Sequence, residues 1–189
     1  MPEPEPKRVS NADPATEQQW SAGAEHHAAA GPTLAVADTR SDALIPIAAI
    51  ALIRDDRGRV LLVAQRGGPF AGAWLLPGGR AAADESAVHA LVREVREETG
   101  LTLTDATYVA GYRTSGDGYD LTVLMYQGPV TGTLVPERGG AARWFEPAAI
   151  PHPHPALRRQ LFDAGVRPDD DAAIAAALRD AGIEMRRLD

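Results

Sequence analysis

The chain has 189 residues, enough for one ordinary domain with extensions, and 44% hydrophobic with 24% charged residues is the mix of a folded globular protein. A formal charge of −7 argues against non-specific nucleic-acid binding, which needs clustered Lys and Arg against phosphates. The absence of cysteine excludes disulfide frameworks, thiolate zinc sites and thiol nucleophiles at once, and it fits a reducing compartment.

Residues 1–43 read as an appendage. Pro2, Pro4 and Pro6 alternate with Glu3 and Glu5, a pattern that resists packing. Asp13-Pro14 could open a helix that Gly31-Pro32 would end, with Trp20 free to dock it, but a flexible or loosely docked tail is the expectation. The basic-then-apolar pattern of a secretory signal is missing, so a cytoplasmic location is expected. The longest apolar run, residues 44–53, contains Pro46 and is too short to span a bilayer as a helix, so no membrane association is expected.

The domain is predicted over residues 44–189. Residues 45–53 are rich in branched apolar side chains and read as a buried strand. Asp55-Asp56-Arg57-Gly58 supplies turn chemistry and residues 60–64 a second strand, the two together reading as a hairpin. A glycine-rich loop over 67–72 leads to Trp74-Leu75-Leu76 and the turn Pro77-Gly78-Gly79. A helix is predicted over 84–99, closed by Gly100. Strands follow over 101–114 and 119–127, around a turn at Ser115-Gly116-Asp117-Gly118, with a short strand at Arg143-Trp144-Phe145. Two helices from about residue 155 complete the chain, one from Pro155 to Gly165 and one from Asp169-Asp170-Asp171 to Gly182. Strands mixed with few helices predict an α/β fold whose mixed sheet is covered by helices.

The segment from Gly79 to Leu101 carries the chemistry. On a helix, residues three and four apart share a face, which places Glu94 beside both Glu97 and Glu98. Val88, Leu91, Val92 and Val95 fall on the neighbouring face as an apolar stripe. Like charges on adjacent turns destabilise a helix by roughly 0.2–0.5 kcal/mol per pair. These also lie toward the C-terminal end, where the macrodipole disfavours anions. Folding asks for no such arrangement. A hard divalent cation would relieve it, because Mg²⁺ prefers carboxylate oxygens, and would bridge to phosphate oxygens. Arg93, four residues before Glu97 and next to Glu94, is placed to orient a carboxylate. Gly79 lets the backbone approach a metal or phosphate closely.

Gly79, five residues, Glu85, seven residues, then Arg93-Glu94-Val95-Arg96-Glu97-Glu98-Thr99-Gly100-Leu101 matches at every constrained position the signature of the Nudix hydrolases, which this segment resembles. The flanking hairpin, Trp74-Leu75-Leu76-Pro77-Gly78-Gly79 and Arg143-Trp144-Phe145 extend the resemblance over about 44–150. It implies an α/β/α sandwich and hydrolysis of a diphosphate linkage in a nucleoside diphosphate derivative. It also implies Mg²⁺, or Mn²⁺, held by Glu97 and Glu98 with the Gly79 carbonyl. Glu94 would be a further ligand or the base acting on water, Arg93 would orient Glu94 or Glu97, and Glu85 would support the loop–helix geometry. Many members add a carboxylate from a later loop. Glu137 is the candidate, although Ala141 and Ala142 stand where relatives often have Glu.

The loops choose the substrate, and here the signal is slighter. No proline occurs over 101–128, where ADP-ribose branches often carry one, while Tyr119 keeps dinucleoside polyphosphates open. The glycine loop, Trp74, Pro-Gly-Gly and Arg80 look most like enzymes of nucleoside triphosphates, oxidised ones included. Trp74, Arg80 and Tyr119 are the candidate substrate contacts, and the expected partner is a small nucleotide, with a homodimer left open. The alternative is a non-catalytic nucleotide sensor of the same fold, although no glutamate of the signature is lost. His152 and His154, set among prolines, read as a rigid linker. His26-His27, His89 and Arg158-Arg159 need no site role, and Phe70 and Tyr112 read first as packing.

Overall fold

A computed structural model describes residues 45–189. The tail and helix read at residues 1–43, Trp20 included, lie outside them. In chain order the elements are β1 (Ile47–Leu52), β2 (Val60–Ala64), β3 (Trp74–Leu75), β4 (Gly78–Arg80), α1 (Ala87–Thr99), β5 (Thr102–Leu103), β6 (Thr107–Gly116) and β7 (Tyr119–Gln127). β8 (Val130–Thr131), β9 (Ala142–Phe145), α2 (Pro155–Asp163), α3 (Asp171–Asp180) and β10 (Glu184–Arg187) follow.

The main sheet has the order β10-β6-β7-β1-β4. β1 runs parallel to β7, while its pairing with β4 and those of β6 with β7 and β10 are antiparallel, so the sheet is mixed. Its two faces are read directly from β1, because successive side chains of a strand point opposite ways. Ala48 and Leu52 join a core with Leu121, Val123, Leu157 and Leu161, which brings α2 onto one face. Ala49, Ala51 and Ile53 join Leu91 and Val95 of α1 on the other. The result is the helix–sheet–helix sandwich.

The hairpin reading needs correction. Asp55 does organise a turn, its Oδ1 accepting from the Arg57 and Arg59 amides at 3.0 and 2.9 Å. The chain pairs there through Leu61 N to Ile53 O at 3.0 Å. Beyond that tip the strands part: β2 pairs with β3 and β9 in a separate three-stranded sheet. Both strands are apolar on both faces and need cover on both sides, which one flat hairpin does not supply.

The strand read over 101–114 is two strands. β5 pairs with β8, and β6 starts afresh at Thr107. Between them Gly128 lies against the Asp105 carbonyl so closely that a Cβ there would stand 1.7 Å from it, and the ladder stops. β8 and the edge strand β10 have no counterpart in the sequence reading. Among the described residues, no helix is long and apolar enough to cross a membrane.

Candidate active site

Helix α1 starts three residues later than its pattern predicts. Ser86 is the N-cap, accepting from the His89 amide at 3.2 Å, and Gly100 closes the helix in the left-handed conformation at φ 73°. Leu91 and Val95 are fully buried and Val92 packs beside them, which anchors the helix. Val88, at the head of the stripe, is 38% exposed because the first turn overhangs the core.

Glu85 is outside the helix because it is committed to Arg93. Arg93 Nε and Nη2 donate to the two Glu85 oxygens at 3.0 and 2.9 Å. Its Nη1 reaches Glu94 at 2.7 Å and Glu97 at 3.3 Å, and Nη2 also donates to the Arg80 carbonyl at 3.3 Å. One guanidinium thus holds three carboxylates and the end of β4. It keeps the Glu85 carboxyl at about 2, helped by the Ala82 amide. A lysine cannot reproduce this fork. Arg93→Lys is expected to lower kcat/KM by about 10–100-fold with little change in melting temperature, as for other residues that orient ligating carboxylates. Retention of full activity would refute this role.

Glu98 turns the other way. Its Oε2 accepts from the Gly78 amide at 2.8 Å, which ties the helix to the Pro77-Gly78-Gly79 bend. Gly79 meets Glu94 on the same bend: a Cβ there would stand 2.4 Å from the Glu94 carboxyl carbon. Burial pushes the Glu98 carboxyl up to about 7 against the pull of the Gly78 amide, and Glu94, Glu137 and Glu97 add to the rise. Glu137 therefore belongs to the same electrostatic neighbourhood, although 39 positions separate it from Glu98 (137 − 98). It precedes β9 and is gripped by Arg66, which also donates to the Arg138 carbonyl at 3.2 Å.

Among the described residues, no three acidic or histidine side chains already converge on one point at ligand distance. Each is otherwise engaged: Glu94 and Glu97 by Arg93, Glu137 by Arg66, and Glu98 by Gly78. By donor type the set fits a hard divalent cation, since it offers only oxygen. The Glu98 carboxyl is raised first by burial and then by the neighbouring glutamates, and a bound cation would offset both.

A cavity of about 490 Å³ opens beside this cluster. Gly78, Gly79 and Arg80 form one end, and Ala48, Ile50, Leu121 and Val123 are part of its apolar floor. Phe70, Tyr119 and Gln160 also line it. The Phe70 and Tyr119 rings lie 4.9 Å apart, and His154 meets Phe70 edge-on at 5.5 Å. Arg80 and Tyr119 thus stand on the cavity, whereas Trp74 packs edge-on against Phe145 at 5.0 Å and is not part of its lining.

Other residues have structural employment. His154 caps α2 by accepting from the Ala156 amide at 3.2 Å, a more definite part than a linker plays. Arg158 pairs with Asp169, and Arg159 with Asp163 and Asp171. Tyr112 is fully buried and donates to Asp163 at 3.1 Å. Arg66 and Gln160 were missed by the sequence reading, because neither sits in a periodic or motif-like pattern. Their places depend on contacts with distant segments.

A family model described as NUDIX domain matches residues 44–165. The chain belongs to the Nudix hydrolase family. As a Nudix enzyme it is a pyrophosphohydrolase, and the family generally works with divalent metal ions. The CTP pyrophosphohydrolase of Escherichia coli (strain K12) is 36% identical over 104 residues, covering 53% of this chain and 76% of that one. A Mycobacterium tuberculosis protein, provisionally named 8-oxo-dGTP diphosphatase 2, is 53% identical over 51 residues, only 26% of this chain and 36% of its own. The crystal structure of a MutT NUDIX hydrolase from Burkholderia pseudomallei superposes with a TM-score of 0.58 at 28% identity. The match covers 64% of this Nudix chain and 98% of that one.

Proposed function

We propose that this Nudix enzyme hydrolyses the diphosphate linkage of a nucleoside triphosphate, oxidised nucleotides included. The observation that carries the reading is the continuity of the carboxylate cluster with the cavity through Gly78, Gly79 and Arg80. A triphosphate lying on that bend would present its anhydride to the carboxylates and its nucleoside to the apolar cavity. The names of the E. coli and M. tuberculosis relatives support this substrate class.

In this reading Glu97, Glu98 and the Gly79 carbonyl hold Mg²⁺, with Mn²⁺ as a substitute, and Glu137 swings from Arg66 to complete the set. When bound, the cation polarises the phosphate oxygens and lowers the pKa of water. Glu94 has two roles open to it, ligand or acceptor of the proton from the attacking water. Arg93 keeps Glu94 and Glu97 aimed at the bend, and Arg80 faces the phosphates. Tyr119 and Phe70 wall the nucleoside. Trp74, packed edge-on against Phe145, is assigned to packing in this reading. Water adds to phosphorus as the P–O–P bridge breaks, giving two phosphorylated products.

The test is a panel of nucleoside triphosphates, 8-oxo-dGTP, ADP-ribose and dinucleoside polyphosphates with Mg²⁺, with products identified. Triphosphates should lead. Preference for ADP-ribose would overturn the substrate class, and tight binding without turnover would favour a nucleotide sensor. A pH dependence follows from Glu98. Its carboxyl must lose a proton to bind a cation, so Mn²⁺ affinity is expected to rise from pH 6 to 8 with a midpoint near 7. Calorimetry in buffers of different ionisation enthalpy should find close to one proton released at pH 6 and almost none at pH 8.5. Affinity flat across that window would refute the part given to Glu98.

A further inference from the structure

The cavity crosses the sheet. Gly78, Gly79 and Arg80 are on β4 at one edge, Ala48 and Ile50 on β1, Leu121 and Val123 on β7, and Thr114 on β6. Three strand spacings separate β4 from β6, about 14 Å at about 4.8 Å each. Among the described residues, Arg80 is the one charged residue lining the cavity, and it sits at the β4 end.

Away from that end, polar groups are buried without employment. Thr114 is 6% exposed and Gln160 is 7% exposed. The Thr114 and Tyr119 hydroxyls are buried beside each other, and neither has a hydrogen-bond partner outside that pair among the described residues. Gln160 shares the cavity-facing side of α2 with Ala156, four residues earlier. The side-chain bonds around α2 run through His154, Arg158, Arg159 and Asp163, and they leave the Gln160 amide out. Buried polar groups normally have partners. An ordered water could satisfy one hydroxyl, but it would not explain a carboxamide brought over the same cavity by another element.

We propose that Gln160, together with the Thr114 and Tyr119 hydroxyls, reads the hydrogen-bonding edge of a nucleobase and so sets which nucleotide the enzyme prefers. This rests on the nucleotide reading above and adds the residues that discriminate. A carboxamide offers a donor and an acceptor side by side, the pattern that pairs with a base edge through two bonds. The Phe70 and Tyr119 rings supply apolar walls for a planar group. The lack of charge beyond Arg80 among the described lining residues favours a neutral base over a second phosphate. A volume of about 490 Å³ lies within the range of small-ligand sites.

The experiment measures kcat and KM for the wild type, Gln160→Leu and Thr114→Val with the four ribonucleoside triphosphates and 8-oxo-dGTP, alongside melting temperatures. The wild type should rank the bases. Gln160→Leu should raise KM for the preferred one by about 10–100-fold, change kcat far less, and flatten the ranking. Thr114→Val should shift the ranking in the same direction, and it stands in should the leucine variant fail to fold. A loss shared equally by every nucleotide, or a ranking unchanged in both variants, would overturn the assignment while leaving the hydrolase reading intact. A wild type that turns over none of the panel would overturn both.

Discussion

Glu98→Gln is expected to cut kcat by about 10²–10⁴-fold and, at the same time, to raise the melting temperature of the metal-free protein at pH 8. Both effects have one cause. The Glu98 carboxyl is largely buried, faces Glu94, Glu97 and Glu137, and is pushed up from 4.5 to about 7. A carboxyl raised in the folded state binds more protons there than in the unfolded chain. Stability therefore falls as pH rises from 4.5 through 7, and the full penalty is present above 7. The shift of about 2.5 (7 − 4.5) corresponds to on the order of 1–3 kcal/mol after allowance for partial exposure. Glutamine has the same shape, and its oxygen can still accept from the Gly78 amide, but it carries no charge. At about 2–4 °C per kcal/mol for a chain of this size, melting should rise by several degrees. The activity loss follows from removing a carboxylate from the centre of the cluster, on the scale typical of essential acid–base groups. Thermal melts at pH 5 and pH 8 with and without EDTA, beside steady-state kinetics with Mg²⁺, test both halves. A variant that keeps near-wild-type turnover, or melts lower at pH 8, would show that Glu98 is an ordinary structural side chain.

Gly78→Ala should be among the most damaging small substitutions in the domain. Gly78 has φ 144°, a backbone conformation that L side chains rarely adopt, and a Cβ there would stand 2.1 Å from the Ala49 carbonyl oxygen and 2.7 Å from Ile50 Cα. Both obstacles are backbone of β1, which is packed on both faces and cannot retreat. β4 would have to leave its pairing with β1, and the Gly78 amide would lose Glu98 with it. Backbone strain of this kind costs about 1–3 kcal/mol before the clash is counted. A total near or above 3 kcal/mol is a large share of a typical domain's stability of about 5–15 kcal/mol. Denaturant titration should show it, with turnover undetectable. Gly67→Ala is the matched control. Its φ is −155°, and nothing lies within 4 Å of an added Cβ, so its effect should stay within about 0.5 kcal/mol. Equal behaviour of the two variants would refute the close-approach argument.

Much of α1 and its acidic face is legible because helix geometry is local. Glu94, Glu97 and Glu98 share a side through spacing alone, and Leu91 and Val95 reach the core for the same reason. Val88 shows the limit of that reasoning, since a stripe says nothing about where the core ends. The paired strands of the presumed hairpin show another. Apolar runs at 47–52 and 60–64 declare burial, but not which neighbours provide it. Trp74 was a candidate substrate contact for which packing was the commoner role, and its ring lies edge-on against Phe145. Glu137 was reachable as a candidate only through family resemblance. Its nearness to Glu98 depends on a loop returning from β8 to β9 and on Arg66 holding it.

By itself, then, the order of residues determined most of the elements, the apolar and acidic sides of α1, and the tight bend at Pro77-Gly78-Gly79. Each depends on interactions within a few positions of the chain. Tertiary structure alone decided that β1 and β2 enter different sheets, that the cavity crosses from β4 to β6, and that Gln160 is brought over it. Those outcomes arise from competition among long-range contacts for burial, and no short stretch of sequence records which contact wins.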